Sequence, residues 1–178
     1  LALRKQISYL LPGTKNLRAI KTKINISNIC DNFYERHKNS LEKNNIKFIK
    51  KNYKDYKINI SLGIINQVLD NLFDNSVYWL NDTKKGKDLI TKEFTLEITD
   101  GCLIVYDNGI GINVKDEFFI FEPFNSRKVI PNGIGRGLGL YISKKLLETQ
   151  NCSIKLLNEK NDYNNYYKFI INLTNSII

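Results

Sequence analysis

Apolar positions along this chain change period several times, and each change marks an element. Helical spacing is clearest in LGIINQVLDNLFDNSVYWL. There Ile65, Val68, Leu69, Leu72, Phe73, Val77 and Leu80 recur every three or four residues, predicting a helix from about Leu62 to Leu80 with one buried face. Ile29, Phe33 and Leu41 fall near one face of an earlier helix, over Asn28 to roughly Asn44, with Ser27 placed to cap it. A third helix is expected from about Leu138 to Thr149. Residues 1 to 11 read as the end of a further helix, stopped by Pro12 and Gly13, and an extended connection follows through Lys21 to Ile26.

Strand signals lie between the helices. Ile46–Ile49 and Lys57–Ile60 are short candidates, separated by a polar connection with Tyr53 and Tyr56. Glu93–Thr99 alternates, Asp100-Gly101 is the strongest hairpin signal in the chain, and Cys102–Tyr106 is the return strand. Ser153–Leu157 and Tyr166–Leu173 flank a polar loop at Asn158–Asn165, and KKGKD at 84–88 is a loop tip. Helices among at least four strands, several joined as hairpins, make an α+β fold: a two-layer α/β sandwich whose mixed sheet is covered on one face by helices.

Composition narrows the class. The chain has 178 residues, 42% of them hydrophobic and 25% charged, which suits one folded domain and excludes a disordered tail or a membrane-embedded protein. Cys30, Cys102 and Cys152 are odd in number, far apart and set in apolar surroundings, as expected of buried thiols in a reducing, cytoplasmic compartment. The net charge of +9 is spread over dispersed lysines. A solvated basic surface accounts for it, a polyphosphate ligand would profit from the same field, and DNA is a partner of second rank without a recognisable basic-aromatic module.

Three stretches carry candidate chemistry. In NQVLDNLFDNS, Asn71 and Asn75 are four apart and project from one side of the helix, beside a core face, either as solvated amides or as ligands for a hydrated divalent cation. In YDNGIG, Asp107 follows an apolar run and precedes Gly109 and Gly111, either as a surface turn or as a carboxylate beside a backbone that a ligand approaches closely. In NGIGRGLGLYISKKL, Gly133, Gly135, Gly137 and Gly139 open directly into an amphipathic helix, which suits a polyphosphate better than a linker does. Neither a dinucleotide fingerprint nor a Walker A loop fits that spacing.

In order and character these stretches resemble the boxes of the ATP-binding domain shared by sensor histidine kinases, DNA gyrase B, Hsp90 and MutL, the Bergerat fold. NLFDNS corresponds to the asparagine box, DNGIG to the first glycine box and GRGLGLYISKKL to the second, with FEPF at 121–124 matching the phenylalanine box of the lid. The similarity is strong over residues 58–157 and holds in layout over about 24–173. It implies ATP and Mg²⁺ as ligands. Asn71 and Asn75 would hold the metal and phosphates, Asp107 would bind adenine, Gly109 and Gly111 would line the purine pocket, and Gly135, Gly137, Leu138 and Gly139 would adjoin the phosphates.

The histidine kinase branch is the most similar. Asn71 stands where the other branches carry a water-activating glutamate, and an amide cannot act as a general base, so transfer of the γ-phosphoryl to a histidine is the implied chemistry. Such kinases often carry a basic residue where this chain has Tyr78; Arg127, Lys128 or Arg136 is expected to replace it, with Asn71 and Arg136 the catalytic candidates. His37 lies inside the domain's own first helix and is not expected to be the phosphoacceptor. The resemblance therefore implies a phosphoacceptor domain upstream or on another chain, with a response regulator and homodimerisation in the full-length protein. Residues 1–20 would be the tail of a dimerisation hairpin and 21–178 the ATP-binding domain, with sequence upstream of Leu1 removed. Two other readings stay open: an ATPase of the same superfamily whose lid closure regulates a protein or DNA-associated partner, and a nucleotide-sensing module without catalysis.

Overall fold

Five strands form the central sheet of the computed structural model, which describes residues 20–82, 91–130, 133–134 and 137–178. In chain order the elements begin with β1 (Thr22–Asn25), α1 (Ile26–Lys43), β2 (Ile46–Asn52), β3 (Lys57–Ile60) and α2 (Leu62–Asn81). The hairpin β4 (Lys92–Thr99) and β5 (Cys102–Asp107) follows, then the two-residue ribbon β6 (Val129–Ile130) and β7 (Gly133–Ile134). The chain closes with α3 (Gly139–Glu148), β8 (Ser153–Leu156) and β9 (Lys168–Asn172). The expected first helix and the KKGKD tip lie outside the described residues.

The sheet order is β2-β4-β5-β9-β8, with β2 parallel to β4 and the remaining pairs antiparallel. The sheet is thus mixed, as the alternation of hairpins and helices requires. Phe94, Leu96 and Ile98 of β4 and Leu103 and Val105 of β5 are buried under the helices, which bring Ile29 and Phe33 of α1, Leu69, Leu72 and Phe73 of α2 and Ile142 and Leu147 of α3 into the same core. Phe33, Phe73 and Phe94 pack with ring centroids 5.2 to 5.4 Å apart, joining two helices to the sheet. Pairs of this kind contribute roughly 0.5–1.5 kcal/mol each beyond the area they bury.

Two details differ from the sequence expectation. Lys21–Ile26 is not a plain connection, because Thr22–Asn25 pairs antiparallel with β3 in a separate ribbon. Ser27 does not cap α1 but sits in its first turn. Asp55, from the β2–β3 connection, accepts from the Ser27 amide at 3.0 Å and from its hydroxyl at 2.5 Å, so the exposed helix amide is satisfied across the fold rather than by a local side chain. All three cysteines are buried free thiols.

Candidate functional site

Asp107 is the last residue of β5, opposite Phe94, and keeps the face parity of Leu103 and Val105. Its side chain therefore points beneath α2 and not into open solvent. There Ser76 donates its hydroxyl to Oδ2 at 2.5 Å, and the Gly109 amide donates to Oδ1 at 2.9 Å. Burial pushes the carboxyl above its ordinary range, while these two donors favour the ionised form and pull the other way. Each oxygen of an ionised carboxylate keeps a further lone pair for an incoming donor.

The DNGIG loop is seated by its surroundings. Gly111 has φ +79° and stands where a Cβ would come within 2.6 Å of the Tyr166 carbonyl, so glycine is required both by conformation and by space. Ile112 and Tyr166 exchange backbone hydrogen bonds at 2.6 and 3.0 Å. Asn161 and Asn165 donate their side-chain amides to the loop's carbonyls, Asn161 to Gly109 and Ile110, Asn165 to Ile110.

One turn before Ser76, α2 meets the start of α3. The Asn71 amide nitrogen donates to the Gly139 carbonyl at 3.2 Å and to Ser143 Oγ at 3.0 Å. This fixes which way the amide faces: its nitrogen is committed to α3, leaving Oδ1 as the acceptor. A Cβ at Gly139 would stand 3.9 Å from that oxygen, an ordinary van der Waals contact, so α3 begins directly beside it. Asn75 is half-buried one turn further along the same side of α2.

The remaining predicted residues divide. Lys128 reaches back from the segment after FEPF to place its ammonium 5.3 Å from the Tyr78 ring centroid, and Tyr78 packs edge-on against Trp79. Burial lowers the Lys128 ammonium's affinity for its proton, opposed by the charge of Asp74. Asp74 is itself pushed up by desolvation, which Lys128 opposes and Asp70 reinforces. Arg127 turns away to an ion pair with Asp116 at 2.5 Å. Gly137, at φ +63°, lies against the Asn125 backbone, with 2.6 Å left for a Cβ. Leu138 is buried in the core and Gly139 begins α3. Gly135 and Arg136 lie outside the described residues. His37 is wedged between Phe33 and Phe73 with Nε2 2.8 Å from Asp70, a packing position.

Ser76, Ser143, Asn161 and Asn165 escaped the sequence reading. The two serines had a usable signal, since each interrupts the apolar face of a helix and is buried there. The asparagines had none, because their loop is rich in asparagine and its partner is distant in sequence.

The family model for the histidine kinase-, DNA gyrase B- and HSP90-like ATPase matches residues 62–175. The signal transduction histidine-protein kinase ArlS of Staphylococcus haemolyticus is 28% identical over 163 residues, an alignment that covers 82% of this chain but 34% of the relative. Among solved structures, a mycobacterial sensor histidine kinase, MprB, superposes with a TM-score of 0.65 at 18% identity, covering 84% of this chain and 95% of that one. The histidine kinase ThkA in complex with the response regulator TrrA gives a TM-score of 0.65 at 22% identity, covering 96% of this chain and 46% of that one. Among the described residues no helix is long and apolar enough to cross a membrane. With its mixed sheet, its helical cover and its boxes in order, the chain belongs to the histidine kinase-, gyrase B- and Hsp90-like ATPase family and within it is most like histidine kinase catalytic domains.

Proposed function

We propose that this chain binds ATP with Mg²⁺ and acts as the catalytic domain of a histidine kinase, passing the γ-phosphoryl group to a histidine carried by another segment or chain. The observation that carries the reading is the Asp107 carboxylate, gripped by Ser76 and the Gly109 amide beneath α2 at the start of the DNGIG loop. Ionised Asp107 would accept from the adenine exocyclic amine. The Oδ1 atoms of Asn71 and Asn75 are hard oxygen donors of the kind Mg²⁺ takes while keeping waters and phosphate oxygens. When bound, the metal supplies charge neutralisation for the transferring group.

This chain's own residues would do the rest. Asn71, tied to Gly139 and Ser143, would set the start of α3 and its glycines against the phosphates. Lys128, over Tyr78, is the described cation best placed to answer the phosphate charge that Tyr78 cannot meet, whereas Arg127 is engaged by Asp116. No carboxylate occupies the position of Asn71, which supports transfer to an imidazole over hydrolysis. ThkA's complex with a response regulator supports a partner of that kind downstream of the acceptor histidine.

Titration calorimetry with a non-hydrolysable ATP analogue, with and without Mg²⁺, tests the site. Micromolar to millimolar affinity that strengthens with Mg²⁺ is expected, and no binding in either condition would sink the reading. Radiolabelled ATP given to the full-length protein then separates the chemistries. Acid-labile, base-stable label on protein supports the kinase; phosphate release stimulated by a partner or DNA, without label on protein, supports the regulatory ATPase.

A further inference from the structure

We infer that the 158–166 loop is part of the nucleotide site, and that Asn161 is the positioning residue that holds the DNGIG loop in its base-receiving shape. The inference rests on the nucleotide-binding reading above, and deepens it by adding an element outside the family boxes named from the sequence.

The Asn161 amide is oriented at both ends. Its Oδ1 accepts from the backbone amides of Tyr163 and Asn165, both at 3.1 Å, which folds the loop on itself. Its Nδ2 then has to face the other way, where it donates to the carbonyls of Gly109 at 3.2 Å and Ile110 at 3.1 Å. Asn165 adds a donor to Ile110 at 3.0 Å, and the Ile112–Tyr166 bridge closes the contact. Two loops some fifty positions apart are thus joined at successive peptide units of the segment between Asp107 and Gly111.

The function of that junction follows from what glycine gives up. A backbone with Gly109 and Gly111 has few steric limits of its own, so the loop's shape depends on the hydrogen bonds that hold it. Asp107 anchors one end through Gly109 N–H, and the Asn161 and Asn165 amides anchor the carbonyls that follow. Turning those carbonyls toward the asparagines also keeps them out of the space beside Asp107. The base then meets a prearranged surface and does not have to order the loop on arrival, which is where preorganisation gains affinity.

Asn161→Asp isolates the claim. The replacement keeps Oδ1 and hence the loop's own fold, but sets an acceptor oxygen against the two carbonyls. Affinities for ATP and for Mg²⁺-tripolyphosphate, which has no base, are measured beside amide exchange over residues 108–112. Expected are about tenfold weaker ATP binding, unchanged tripolyphosphate binding and faster exchange in that segment. ATP affinity left intact, or ATP and tripolyphosphate affinities falling in equal proportion, overturns the positioning role. Asn165→Asp, which touches one carbonyl, serves if the first variant does not fold, with a smaller loss in the same direction and the same overturning results. If the unaltered chain binds no ATP, the nucleotide reading itself fails; unchanged exchange at 108–112 in the variant overturns the clamp separately.

Discussion

The side-chain nitrogen of Asn71 on α2 donates to the carbonyl oxygen of Gly139, the first residue of α3, at 3.2 Å. A residue proposed to hold a cation is thereby also the joint between α2 and the start of α3. Asn71→Asp should separate these roles, because it keeps an oxygen toward the ligand but puts another against Gly139 O and leaves Ser143 without its donor. A loss of about 1–3 kcal/mol is expected by chemical denaturation, the usual cost of unmade partly buried hydrogen bonds. Unchanged stability would show that the joint contributes nothing.

The adenine contact proposed for Asp107 would depend on pH. Burial raises its folded-state pKa despite Ser76 and Gly109, so the folded chain holds this proton more tightly than the unfolded chain. Its contribution to stability is therefore greatest below the unfolded value and is lost as pH rises through the folded value. Binding runs the other way, since an amine donor needs the ionised acceptor: ATP affinity should fall as pH drops through the raised pKa. Ser76→Ala removes an opposing donor and should move that midpoint upward. Calorimetry across a pH series reads both curves, and coincident midpoints would remove Ser76 from the account.

Lys128 and Arg127 are neighbours with opposite expectations. Lys128→Ala should weaken ATP more than ADP, because a cation answering the γ-phosphate is lost, with about a tenfold change in the ATP/ADP ratio. Arg127→Ala, which breaks the exposed Asp116 pair, should leave both affinities within about twofold. Equal effects of the two variants would exclude Lys128 as the phosphate cation.

Gly111→Ala tests the seating of the DNGIG loop. A Cβ 2.6 Å from the Tyr166 carbonyl, at φ +79°, forces the loop or the bridge to shift. A destabilisation of about 1–3 kcal/mol is expected, measured by thermal unfolding, together with weaker ATP binding. A variant of unaltered melting temperature would mean that the loop has room the structure does not display.

Cys30 should be chemically silent in the native chain. Burial pushes its thiol up to about 12, so the reactive thiolate is scarce at neutral pH and the sulfur is also out of reach. Native-state alkylation followed by mass spectrometry should find Cys30 unmodified until denaturant is added.

Much of this architecture was legible beforehand because it rests on local periodicity. The α2 face from Ile65 to Leu80, the Asp100-Gly101 hairpin and the amphipathic α3 are each written in adjacent residues, and the structure follows them. Ser27 shows where such reasoning ends: a good local cap residue lost that place to Asp55, a competitor supplied from 28 positions away.

The sequence by itself determined the element types, the order of the boxes and the residue chemistry available: amides on α2, a carboxylate after an apolar strand and glycines before a helix. Those properties depend on neighbours along the chain, so one dimension suffices to read them. Only the tertiary structure decided which groups meet. It paired Ser76 with Asp107, Asn71 with Gly139, Asn161 with Gly109 and Lys128 with Tyr78. Each of those contacts depends on strand register and helix packing, which are set by burial of the whole core and cannot be read from the spacing within any one segment.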